Sequence, residues 1–111
     1  MALRCYTVRT INKQERKMAK TYVWANDAGH EWLAVGIAEL IRLGIADKIS
    51  AFSYVKGNTA YLEGDCDAAV FFDAKQKAGE TVNTRIGKHW DRWPGRSFRS
   101  YNAAVITQMA A

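Results

Sequence analysis

The sequence has one proline, Pro94, two cysteines, Cys5 and Cys66, and no internal repeat or low-complexity tract in its 111 residues. Two thiols give no disulfide framework, so the fold must be held by its core. No apolar run approaches the roughly 18 residues of a membrane-spanning helix, since Glu39 and Arg42 break the longest candidate. Arg4, Arg9 and Lys13 are followed by no apolar stretch of the secretory type, which predicts a reducing, cytoplasmic setting. G-x-x-x-x-G-K-[ST], G-x-G-x-x-G and G-x-S-x-G are all missing, and with them the usual sequence signs of phosphate cradling and serine hydrolysis.

What is present suffices for a core. Apolar residues make up 49% and aromatics 12%, as in ordinary globular domains, and the length predicts one domain. The net charge of +5 is unevenly spread. Residues 1–20 hold six cations and one carboxylate, residues 21–80 five cations and nine carboxylates, and residues 81–111 five cations and one carboxylate. An acidic middle between basic ends fits either a polyanion footprint or ends that fold back on the middle.

The local signals predict an α+β domain of order β-β-α-β-β-α-β over residues 20–102, with a basic arm at 1–19 and a short end at 103–111. In the arm, Cys5, Tyr6 and Val8 could make an edge strand, and Met18 could be the natural start. Thr21, Tyr22, Val23 and Trp24 predict a strand, turned at 26–29 into a second over 30–35. Ile37, Leu40 and Ile41 form a helical stripe, closed by Gly44 with Ile45 as the apolar partner of the cap. Residues 49–64 predict a hairpin turned at Gly57 and Asn58, with Tyr54 opposite Tyr61 and on one face with Phe52. Asp65 is expected to cap a helix reaching Lys77, with Asp67 in its first turn and Gly79 ending it. A further strand follows at 81–86, and then an irregular basic and aromatic tail.

Chemistry is sparsely signalled. His30 lies between Asp27 and Glu31, as an oriented general base would, and as a turn histidine also would. Cys66 at a helix start could be activated, but Asp65 and Asp67 disfavour its thiolate, and a buried packing role is expected. Cys5, His30, Cys66 and His89 lack the close pairing of a zinc site, so no metal and no cofactor are expected. In the tail, Arg92, Arg96 and Arg99 alternate with Trp90, Trp93, Phe98 and Tyr101. These, with Tyr54 and Lys56 of the hairpin, are the candidate partner-binding residues: arginine and aromatic groups anchor protein interfaces and also stack and pair with single-stranded nucleic acid. They could equally cover the core.

Several strings carry a resemblance: Asp27-Ala28-Gly29-His30-Glu31-Trp32-Leu33-Ala34-Val35, Leu43-Gly44-Ile45-Ala46-Asp47-Lys48-Ile49-Ser50, Ser53-Tyr54, Tyr61-Leu62-Glu63-Gly64-Asp65-Cys66-Asp67 and Arg96-Ser97-Phe98-Arg99-Ser100-Tyr101. Together they resemble a family of small, mostly uncharacterised bacteriophage and prophage proteins. Its members often have glycine after the histidine and an acid before the Asp-Cys-Asp triplet, where this chain has Glu31 and Gly64. The resemblance implies a non-enzymatic phage accessory protein acting on a host or phage protein complex, including host-defence complexes in the manner of anti-CRISPR proteins. It brings no catalytic residues. Direct nucleic-acid binding through the basic ends, and a small enzyme using His30 and Cys66, are the alternatives.

Overall fold

The structure, a computed structural model, describes residues 20–110, so the expected arm and its edge strand lie outside the described residues. Six strands form one sheet in the order β5-β1-β2-β4-β3-β6. They are β1 (Thr21–Asp27), β2 (Glu31–Gly36), β3 (Tyr54–Lys56), β4 (Thr59–Glu63), β5 (Asn83–Trp90) and β6 (Arg99–Ser100). The helices are α1 (Ile37–Arg42), α2 (Asp67–Lys77) and α3 (Ala103–Ala110), so the α+β class holds. β5 runs parallel to β1, whereas the other neighbouring strands are antiparallel. No helix among the described residues is long and apolar enough to cross a membrane.

Local chemistry explains the boundaries. The β3–β4 hairpin turns at Gly57, whose φ of 60° is the left-handed conformation that glycine adopts freely, and the register pairs Tyr54 with Tyr61 and Val55 with Ala60. Both α1 and α2 end in the same paired cap. Ile45 N–H donates to Leu40 C=O and Gly44 N–H to Ile41 C=O, and Glu80 and Gly79 repeat this on Lys75 and Gln76. Gly44 and Gly79 accordingly have positive φ.

Alternation along the strands divides the sheet into two faces. One carries Tyr22, Leu33, Val35, Ala60 and Leu62, which pack with Leu40 of α1, Phe71 of α2 and Ile106 of α3 into the main core. Within it a polar cluster is sealed. The Lys75 side chain, 7% exposed, donates to Glu39 at 2.8 Å and Glu80 at 2.8 Å, while Tyr22 Oη donates to Glu39 at 2.7 Å. Arg42 closes the far side with bonds of 2.8 and 2.7 Å to Glu80. Burial opposes the Lys75 charge, but the two carboxylates outweigh it and raise its pKa; the Arg42 hydrogen bonds and then that of Lys75 hold Glu80 down to about 2.

Four expectations need correction. Residues 103–110 are not a short end but helix α3, capped by Asn102, whose Oδ1 accepts from Ala104 N–H at 3.1 Å, and anchored by buried Ile106. Residues 51–53 turn rather than extend, leaving Phe52 74% exposed instead of aligned with Tyr54. Asp65 does not cap α2; Glu63 Oε1 accepts the N–H groups of Asp65 and Cys66 at its start. The last residues of β5 also occupy part of what sequence marks as tail.

Candidate partner-binding surface

The tail divides because one carboxylate captures its middle. Asp27 closes the β1–β2 turn by accepting from Gly29 N–H at 3.0 Å and His30 N–H at 3.1 Å through Oδ1. Its Oδ2 accepts from Trp93 N–H at 2.9 Å and Arg96 Nε at 2.7 Å, and a second Arg96 nitrogen reaches Oδ1 at 2.9 Å. Residues 91–98 are thereby folded back over the sheet face opposite the helices. There the Trp93 ring stacks on Trp32 at 4.5 Å and meets Tyr61 at 5.1 Å and Phe98 at 5.6 Å, while the Arg96 guanidinium sits 4.9 Å from the Trp32 ring. This is a second, aromatic core.

The Arg96 guanidinium and then the Trp93 amide hold the Asp27 carboxyl far below the usual carboxylate range. A carboxyl depressed by folding adds stability that is complete above its unfolded pKa, near 3.8, and lost as pH falls through the lower folded value. The stability of the fold, followed by urea unfolding through the near-ultraviolet circular dichroism signal of the Trp32–Trp93 stack, is therefore expected to decline progressively as pH falls below about 4. Asp27→Asn should start less stable and lose most of that pH dependence.

The nine candidate residues consequently fall into three groups. Trp93 and Tyr101 are buried, at 6% and 2% exposure, which removes both from any contact surface: Trp93 fills the aromatic core, and Tyr101 enters the main core with its hydroxyl donating to Ala46 C=O. Arg96, Phe98 and Tyr54 are half-buried around Trp93, with Arg96 committed to Asp27. Trp90, Arg92, Arg99 and Lys56 remain at the margins, but not together. Trp90 ends β5 and Arg92 follows it, whereas Lys56 and Arg99 belong to β3 and β6 at the opposite edge of the sheet. Lys56 Nζ also lies 4.9 Å from the Phe98 ring.

Sequence reasoning missed Arg85 and Lys88. Both are exposed on β5, and neither they nor Arg92, Arg99 and Lys56 enter an ion pair among the described residues. Carboxylates of the acidic middle are instead drawn inward. Asp27, Glu39 and Glu80 pair with cations, and Asp67, 3% exposed, accepts from Ser50 N–H and from the hydroxyls of Ser50 and Ser53. Four of the nine carboxylates of residues 21–80 are thus engaged inside, Glu31, Asp47, Asp65 and Asp73 stay exposed, and cations without an ion pair among the described residues remain along both sheet edges.

The catalytic alternative finds little support in the geometry. Asp27 is committed to residues 91–98. Cys66 is exposed, contrary to the expected packing role, and desolvation of its sulfur followed by the Asp67 charge pushes its thiol pKa up, away from a nucleophilic thiolate. His30 instead meets Glu63 and Asp65, with ligand atoms of all three within 4.8 Å of one another. That trio was hidden from spacing arguments because His30 lies more than thirty residues before Glu63 and Asp65.

Glu31 and Gly64 also meet. Gly64 N–H donates to Glu31 C=O at 2.9 Å, and a Cβ on Gly64 would lie 2.8 Å from Glu31 Cγ. A Cβ at 64 would also lie 3.0 Å from Glu31 C=O, so it meets both the side chain and the backbone of residue 31. Gly64→Asp is expected to cost roughly 1–3 kcal/mol in urea unfolding through this overlap, and Glu31→Gly in the same chain should restore part of the loss. In comparisons with known proteins, no family model, no curated protein and no solved structure matches the chain.

Proposed function

We propose that this protein is a phage-type accessory protein that performs no bond chemistry and acts by binding a macromolecular partner, inhibiting a host protein complex such as a defence assembly. The observation that supports the reading is that Asp27, Glu39 and Glu80 are paired within the fold while Arg85, Lys88 and Arg92 stand exposed along and beyond β5 with no ion pair among the described residues. Such an edge presents fixed positive charge to an acidic surface and steers its approach. The phage-protein resemblance supplies the setting, a small protein directed at a host or phage complex.

The test is capture from nuclease-treated host lysate by the tagged chain, with quantitative mass spectrometry, beside an Arg85→Glu/Lys88→Glu/Arg92→Glu variant. One protein assembly should be enriched by the natural chain, and its recovery should fall roughly tenfold or more in the variant, the equivalent of about 1.4 kcal/mol. Equal recovery by both chains would contradict the reading. A parallel gel-shift series measures the nucleic-acid alternative, which requires a shift at low salt that weakens steeply as salt rises.

A further inference from the structure

β5 is an edge strand of an unusual kind for this sheet. Among the described residues it pairs with β1 alone, and six of its eight residues are exposed, including Ile86 at 71%. From Asn83 to Ile86 its register on β1 is regular, each residue stepping with one of Thr21 to Trp24. The register then shifts: Ile86 pairs with Trp24 and His89 with Asn26, so β5 carries one extra residue across Gly87 and Lys88. Gly87 is required there, since a Cβ would lie 2.9 Å from Val23 Cγ1 and 3.2 Å from Trp24 C=O.

A regular, β-prone edge bearing Thr84 and Ile86 has main-chain groups on its outer flank that another extended chain can pair with. Charge selects which chain. Arg85 and Lys88 stand on β5 without a carboxylate in the strand, and Arg92 follows it, with Asp91 the one acid of residues 81–111; Glu31 and Asp65 line a depression together with Ile86. A second copy of β5 running antiparallel would set cation against cation, which disfavours self-pairing. Nucleic acid is favoured less than an acidic peptide because Trp90 is the one large aromatic on the strand, is half-buried and has Lys88 Nζ over its ring at 4.0 Å, which leaves no row of stacking surfaces along β5.

Resting on the partner-binding reading above, we propose that residues 83–86 of β5 receive an extended, acidic segment of a partner protein as a seventh strand, with Arg85, Lys88 and Arg92 pairing to its carboxylates. The added strand supplies affinity through main-chain hydrogen bonds, and the bulge at Gly87 and Lys88 ends the pairing.

The probe is a fluorescein-labelled decapeptide alternating glutamate with valine, titrated by fluorescence anisotropy against the full chain. Two analogues carry N-methyl groups on alternate amides, one in each register, and a single-stranded DNA of equal charge completes the set. Expected is saturable peptide binding that weakens roughly tenfold or more in Arg85→Glu/Lys88→Glu but less than about twofold in Lys56→Glu/Arg99→Glu, which makes the same charge change at the opposite edge. One methylated register should abolish binding. Circular dichroism confirms that each variant keeps its fold. Binding indifferent to both methylation patterns, equal losses in the two charge variants, or tighter binding of the DNA would overturn strand addition. If the peptide fails to bind while charge-dependent capture from lysate persists, strand addition falls and the broader reading stands; if both fail, both fall.

Discussion

A Gly95→Ala chain is expected to unfold about 3 kcal/mol more easily than the natural one, a loss of the size caused by emptying a packed tryptophan site. Gly95 lies under the Trp93 indole, and a Cβ added to it would overlap three atoms of that ring. Backbone freedom is not the issue, because Gly95 is absent from the residues of positive φ. Space is. Relieving the overlap means displacing Trp93 from its stack on Trp32 and its contacts with Tyr54, Tyr61 and Phe98, which opens the aromatic core. Urea unfolding measures the loss, and near-ultraviolet circular dichroism should show the indole coupling weakened in the variant before denaturant is added. A chain with natural stability would mean that residues 91–98 do not pack as described.

Lys75→Ala is expected to cost about 3 kcal/mol, because it strands Glu39 beside the Tyr22 hydroxyl with only Arg42 and the more distant Lys20 to answer its charge. The Lys75 stem also contacts aromatic surface, its Nζ lying 5.5 Å from the Tyr22 ring centre and 5.9 Å from that of Phe71. Replacing the pair together, as Lys75→Met with Glu39→Leu, should recover most of the stability, since the cost lies in the uncompensated charge more than in loss of the pair. Because folding raises the Lys75 pKa, its contribution is complete below the ordinary value of 10.5 and declines as pH rises through the higher folded value. An alkaline fall in stability present in the natural chain and reduced in the double variant would confirm the assignment; additive single losses would refute it.

Sequence-local features were the legible ones. Glycine caps at 44 and 79 and the Gly57–Asn58 turn depend on a few neighbouring residues, so propensity and spacing find them. Features made by distant residues were not. Asp27 meets Trp93 and Arg96 across 66 and 69 positions, and no periodicity encodes that meeting. A basic, aromatic tail consequently looked like a contact surface when its centre, Trp93 and Arg96, was structural. The exposure of Arg85 and Lys88 on an edge strand is likewise not encoded locally, because which strand lies at the edge depends on the pairing of β5 with β1 some sixty residues away. α3 was missed although Asn102 before Ala103 and Ala104 is a capping signal.

Recognition through the β5 edge, with the aromatic face serving as interior, is tested most directly by amide hydrogen exchange of the chain alone and with its purified captured partner. Binding through β5 predicts slower exchange concentrated in residues 83–86 and little change at residues 54–63 and 91–98. Protection confined to the hairpin or to residues 91–98, with β5 exchanging at its free rate, would contradict it.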